Sequence, residues 1–495
     1  MLFNSYEFIF AFLPATFCAY YLLGRFRPLW GKAVLAGASL VFYASSAVAN
    51  LPLMLLSIAT NWLVSRFILD ERRPGRVRDL ALWCGVCGNL ATLFLYKYAD
   101  FAAGLLAGNL ASHTAVGVIP LGISFFTFTQ LAFLVDARRG LASQHSPLDY
   151  LLFVTVFPHL IAGPIIHHQE MMPQFSNPAT YRMDGRKLAQ GVTLFAIGLG
   201  KKVLLADTVG DYVGPVFNAA APTFVEAWCG ALAYAFQIYF DFSGYSDMAV
   251  GLGLMFGLRL PVNFDSPYRA ASIIDFWRRW HLSLSRFLRD YLYIPLGGNR
   301  LGRGRRYANL LATMVLGGLW HGANLTFLAW GAIHGAALAL NHAWRELRPQ
   351  GGPCLGGRLS GQALTFLVVV VAWVFFRAAD MGEAVRVLAG MAGLNGIVVP
   401  ESYAALPGLR QLTQALGLPA YYLPTFLGAK ELACLLLLAV IAWVLPNSQD
   451  IVLQENRAAW LALRPTRKWA MAISLLLAAS IMGVSKDAQF LYFQF

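Results

Sequence analysis

Two histidines stand where an apolar chain has least reason to hold them. His321 lies in "GGLWHGANLTFLAWG", between a tryptophan and a glycine, and His281 lies in "DFWRRWHLSLSRFL". Ionisable groups within membrane segments are expensive, so they usually face a polar interior and mark a functional site. The bland alternative for each is a satisfied core imidazole. A neutral imidazole beside a hydroxyl can take its proton as the hydroxyl attacks an acyl carbon, then return it to the leaving thiolate. That role needs no nucleophilic Ser or Cys, and the chain carries no GxSxG or Cys–His signature. Metal binding is the rival: His167 and His168 are adjacent, and His281, His321 and His334 could converge. No HExxH or dense His/Asp/Glu cluster supports it, so no metal and no bound cofactor are expected.

A second stretch with chemistry in it is "GGNRLGRGRRY", which gathers Arg300, Arg303, Arg305 and Arg306 on a glycine-rich loop. Free backbone N–H groups and guanidinium forks suit phosphate esters, such as those of coenzyme A or a carrier phosphopantetheine. The same arginines are equally what membrane orientation requires with no ligand at all.

These residues must be positioned by membrane helices. Of 495 residues 58% are hydrophobic and 13% charged, and the mean hydropathy is +0.56, the balance of a polytopic membrane protein. Apolar stretches recur at Phe8–Leu23, Ala33–Ser65, Leu80–Tyr96, Val116–Val135, Tyr150–Ile166, Gly191–Leu205, Trp228–Phe256, Leu310–Leu340, Gln362–Phe376, Leu432–Leu445 and Trp469–Val484. They predict an all-α fold with about 11 transmembrane helices. "MLFNSYE" has no basic residue ahead of the first apolar run, which reads as a retained helix and not a leader. Arg25, Arg27 and Lys32, then Arg72, Arg73, Arg76 and Arg78, belong inside by the positive-inside rule, which puts the N-terminus outside and makes Ala33–Ser65 a hairpin. The net charge of +13 sits in short loops, where orientation and anionic lipid account for it without nucleic acid. Cys84 and Cys87 form a CxxC inside an apolar run with no second pair nearby, which fits helix packing.

The chain shows no soluble domain and no repeat. Its least helix-like parts are "RPQGGPCLGGRLSGQ" and Asn395–Gly428, the latter expected as an external loop with short interfacial helices. Pro261–Tyr307 is different: it is charged, aromatic and too polar to span lipid, yet flanked by apolar helices. Polar or non-helical backbone at membrane depth must be covered by protein or line a cavity, so re-entrant or interfacial helices are expected there. Trp280, Leu284, Phe287 and Leu288 can share one helical face, Asp275 can pair with Arg278 or Arg279, and Arg side chains can meet lipid phosphate. Lys201 and Lys202 can snorkel at a helix end, and Asp241, Ser243, Asp247 and Asn263 are polar groups suited to bonds between helices.

"YFDFSGYSDMAVGLGLMFG", "NFDSPYRAASIIDFWRRWHLSLSRFLRDYLYIPLGGNR" and "LGGLWHGANLTFLAWGAIHG" resemble the signature stretches of the membrane-bound O-acyltransferase (MBOAT) family. The branch they resemble is that of bacterial alginate O-acetyltransferase membrane subunits and their relatives in cellulose acetylation and teichoic acid D-alanylation. "MLFNSYEFIFAFLP", "HLIAGPIIHHQEMMPQF", "GLGKKVLLAD" and "FLYFQF" are similar too, so the likeness covers most of the chain. It implies one MBOAT membrane domain over 1–495, with its signature core at about 235–340, folded as a ring of helices around a thinned centre. It makes His321 the essential histidine of the WHG motif and matches His281 to a second histidine of the D-alanylation branch. By the same likeness the donor is a cytoplasmic thioester, acetyl-CoA or an acyl carrier. The acyl group goes outward to an exported polysaccharide, through a periplasmic acetyltransferase partner, in the bacterial inner membrane. Direct acylation of a glycan or carrier is the alternative within the family. A transporter with histidines on a proton path is the alternative outside it, disfavoured because the polar plug has no counterpart in the first half.

Overall fold

A computed structural model of the protein describes residues 1–108, 119–347, 355–404, 407–421, 428–453, 461–464, 466–484 and 490–491. They form a largely helical membrane protein with several long apolar helices. Among the described residues three stretches are long and apolar enough to cross a bilayer: Pro28–Leu69, Gly75–Leu106 and Gly356–Arg377. The first is broken by the turn Val48–Asn50 into helices of 20 and 19 residues, where the sequence predicts a hairpin. Trp228–Phe256 lies, but for its last residue, in one continuous helix, Phe224–Met255, while several other apolar stretches are shorter or interrupted as helices. Tyr150–Ile166 is helical only to Thr155, beyond which 156–166 turns irregularly and stays buried. Leu310–Leu340 is two helices, Arg303–His321 and Leu325–Leu347, separated at 322–324. The start of Val116–Val135 and the first half of "RPQGGPCLGGRLSGQ" lie outside the described residues. The second half of that segment is helix from Leu355 onward, not the loop its glycines predict.

The chain divides into two compact units, residues 1–199, 244–263 and 448–494 in one and 200–243, 264–447 and 495 in the other. In the first unit, prolines sit in the opening turns of Leu13–Gly24, Pro28–Ala47, Leu51–Leu69 and Pro147–Thr155, where the missing N–H costs no intrahelical bond. Leu51–Leu69 and Gly75–Leu93 exchange two side-chain hydrogen bonds, Asn61 Nδ2 donating to Asn89 Oδ1 at 3.1 Å and Asn89 Nδ2 to Asn61 Oδ1 at 2.6 Å. Helix Gly185–Gly200 meets the second half of Phe224–Met255 backbone to backbone. A Cβ on Gly191 would lie 2.6 Å from the Gly251 carbonyl oxygen, and one on Gly198 would lie 2.5 Å from that of Gly244. Small residues permit this approach, which stands in for a hydrophobic driving force inside lipid. His168 is held here by the Asp136 carboxylate at 3.4 Å and the Leu141 carbonyl at 3.0 Å.

The second unit contains the first half of Phe224–Met255, the plug, the hairpin Arg303–His321/Leu325–Leu347, and helices Leu355–Arg377, Met381–Met391 and Ala429–Trp443. The plug, the part of the polar stretch Pro261–Tyr307 that lies in this unit, is a run of short pieces, as its polarity predicts: Pro267–Arg269, Ile273–Trp277, Leu282–Leu288 and a π-helical turn Arg289–Tyr293. Trp280, Leu284, Phe287 and Leu288 are all buried, although the helix expected to carry them on one face breaks between Trp277 and Leu282. The loop expected at Asn395–Gly428 holds short helices Glu401–Ala404 and Pro407–Ala415. It also holds two strands of two residues, Val399–Pro400 and Ala420–Tyr421, paired in parallel, so the fold is not wholly α.

Candidate active site

The WHG segment is shaped by its glycines. Helix Arg303–His321 ends at His321, and a Cβ on Gly322 would lie 2.1 Å from the Phe327 ring. A Cβ on Gly318 would lie 2.1 Å from the Phe327 carbonyl oxygen, and one on Gly331 would lie 2.3 Å from that of Met314. The two arms of the hairpin therefore touch through backbone. Asn324 then starts the return arm, its Oδ1 accepting from Thr326 N at 3.1 Å and its Nδ2 donating to the Ala379 carbonyl at 2.7 Å. His321 is thereby left buried at a helix end, its ring 5.2 Å from Trp330 and 5.0 Å from Phe376, both edge-on.

His281 reaches the same aromatic cluster from the plug. It is fully buried, its ring 4.8 Å from Phe242 and 6.4 Å from Trp320, and Trp320 lies 4.8 Å from His321. The backbone of His281 is left-handed, with φ 44° and ψ 55°, a conformation that costs on the order of 1–3 kcal/mol outside glycine. The plug around it is anchored: Arg279 Nε donates to Asp275 at 2.9 Å and Nη1 to the Asp265 carbonyl at 3.1 Å, while Asn447 donates to the Asp265 carboxylate at 3.0 Å. Of the two arginines weighed for Asp275, Arg279 makes the pair and Arg278 is exposed.

A third histidine joins them. His334 is fully buried, 4.8 Å from Trp330 and stacked 6.0 Å from Phe276, and Trp277 Nε1 donates to its Nδ1 at 3.3 Å. From the sequence alone His334 stands only as a possible metal ligand. Its one-turn spacing from Trp330 in "WGAIHG" was the signal for the pocket wall. Among the described residues no three His, Cys, Asp or Glu side chains group as metal ligands.

The arginine loop is built otherwise. Arg303 and Arg306 come together on one carboxylate: both bond Glu346, Arg303 at 3.3 Å. Arg300 and Arg305 are exposed. Two of the four guanidinium groups offered for a phosphate are thus shared with an acid of the chain itself. Lys202 also departs from expectation. It does not snorkel but is buried between Asp207 and Asp241, 2.7 Å from each.

Three buried imidazoles walled by aromatics, in a helical membrane protein, are groups whose chemistry suits taking and returning a proton away from bulk water. Residues 84–376 match the MBOAT, membrane-bound O-acyltransferase, family; the chain belongs to this family and is an acyltransferase. It is 39% identical to the peptidoglycan O-acetyltransferase of Helicobacter pylori over 100% of this chain and 98% of that protein. It is 38% identical to a probable alginate O-acetylase of Pseudomonas aeruginosa over 100% of both. It is 30% identical to a teichoic acid D-alanyltransferase of Streptococcus thermophilus over 45% of this chain and 57% of that one.

Proposed function

We propose that this acyltransferase takes an acetyl group from a cytoplasmic thioester, most simply acetyl-CoA, and sends it outward for O-acetylation of an exported polysaccharide. His321 acts as the general base and His281 assists by orienting the donor or sharing the proton. A periplasmic acetyltransferase completes the transfer to sugar; direct acylation of a glycan or carrier is the alternative route. The observation that carries the reading is His321, buried at the end of its helix in an aromatic pocket that His281 also lines. Similarity to two O-acetylating relatives over the whole chain supports acetyl as the group moved.

The same reading takes residues 1–495 as one membrane domain with its core at about 235–340. It has about 11 crossings around a thinned centre, an N-terminus in the periplasm and a place in the inner membrane. Arg300, Arg303, Arg305 and Arg306 serve the donor's phosphates in this scheme. Because the named relatives include a peptidoglycan enzyme as well as a probable alginate one, the acceptor polymer is either an exopolysaccharide or the wall glycan. The test compares O-acetyl groups on both polymers in cells making the wild-type protein or His321→Ala at matched membrane abundance. Loss of acetyl from one polymer identifies the acceptor; unchanged acetyl on both removes His321 from the chemistry.

A further inference from the structure

Among the N–H groups of the aromatic pocket with no acceptor among the described residues are Trp330 Nε1 and His334 Nε2, both in fully buried side chains and neighbours on one helix. Buried donors almost always find partners, so each such exception calls for an explanation. The state of His334 follows from its neighbour. Trp277 Nε1–H donates to His334 Nδ1, so Nδ1 carries no proton, and in the neutral ring the proton is on Nε2. Both N–H groups are therefore true donors. Trp330 and His334 are one helical turn apart on Leu325–Leu347, with ring centroids 4.8 Å apart, and Trp330 also touches His321 at 5.2 Å.

We infer that Trp330 and His334 form the oxyanion hole of the transfer reaction, an assignment that rests on the acetyl-transfer reading above. The acceptor hydroxyl oxygen bonds to the thioester carbonyl carbon as His321 takes the hydroxyl proton. The carbonyl π electrons move onto oxygen, and that oxyanion accepts from Trp330 Nε1–H and His334 Nε2–H. As the C=O re-forms the C–S bond breaks, and the thiolate leaves with the proton from His321, giving one ester and one thiol. Preorganised donors in a water-poor site act where charge develops and need no reorganisation at that moment. Trp277 is a positioning residue in this scheme: by donating to Nδ1 it fixes the proton of His334 on the nitrogen that serves the oxyanion.

The test uses inside-out membrane vesicles from producing cells, so that partner proteins are present, with acetyl-CoA as donor. Thiol release and acetyl on the polymer are read against acetyl-CoA concentration. Trp330→Phe keeps the ring and loses the donor; it is expected to lower kcat about 100-fold with KM and membrane abundance unchanged. His334→Leu is expected to match it. His334→Gln, which can accept from Trp277 and still present an N–H, is expected to recover at least about a tenth of wild-type kcat. Should Trp330→Phe fail to accumulate, the Leu and Gln variants at 334 decide alone. The oxyanion assignment is overturned if kcat stays within about threefold of wild type in Trp330→Phe and His334→Leu. It is equally overturned if the loss is only in KM or abundance, or if His334→Gln is as inactive as His334→Leu. Wild-type vesicles with no activity above the His321→Ala background would instead sink acetyl transfer itself.

Discussion

The histidine pocket and the arginine loop occupy the two ends of one helix: Arg303 opens it and His321 closes it, about 27 Å away at 1.5 Å per residue. At the closing end the His321 ring is enclosed by Trp320, Trp330 and Phe376, so its position is fixed by packing. At the opening end Arg303 is 80% exposed and shares Glu346 with Arg306, so position is left to long side chains in water. A buried imidazole constrains what it can be for, whereas exposed arginines serve orientation, lipid and ligand alike.

The comparison is broken most directly at His321. His321→Ala should reduce polymer acetylation by about 10²–10⁴-fold, the range for a positioned acid–base group, with the protein still inserted; acetyl content at matched abundance measures it. Next comes a charge enclosed as the histidines are. Lys202→Met would leave Asp207 and Asp241 facing each other, and loss of one partner from a buried ion cluster costs about 3–5 kcal/mol. Thermal inactivation in detergent should show a clear drop in midpoint; an unchanged midpoint would mean that water reaches the cluster. Trp277→Phe removes one neutral hydrogen bond, worth about 0.5–1.5 kcal/mol. It should lower turnover by up to about tenfold, read as initial rates of thiol release. The smallest effect belongs to the arginine end. Glu346→Gln should move melting and abundance only slightly, since ion pairs at the protein surface contribute about 0–1 kcal/mol. KM for acetyl-CoA falls if Arg303 and Arg306 are thereby freed to hold phosphate, and an unmoved KM would reduce them to orientation signals.

The enclosure of His281 and His321 was legible in the sequence because an ionisable side chain in apolar surroundings is costly wherever it lies. The polar plug was legible for the same reason, and the structure breaks it into short helices. What sequence did not disclose depends on contacts between distant segments. Lys202 read as a snorkelling residue, since nothing local shows that Asp241 approaches it across helices. His334 read as a metal ligand or nothing, since its hydrogen bond comes from Trp277 on the plug. The loop expected in "RPQGGPCLGGRLSGQ" is helix from Leu355 because a glycine there serves close packing and not a turn: a Cβ on Gly361 would lie 2.5 Å from the Ala271 carbonyl oxygen.

The left-handed backbone at His281 has a genetic consequence. Asparagine tolerates that conformation better than most residues, and the genetic code separates histidine from asparagine by a single base change. His281→Asn is thus a cheap mutation that keeps the bend of the plug while deleting the imidazole, whereas a β-branched replacement disturbs both. In a randomised library selected first for membrane insertion and then for acetylation, asparagine at 281 should be prominent among survivors of the first selection. Its share after the second would separate what the bend does from what the ring does.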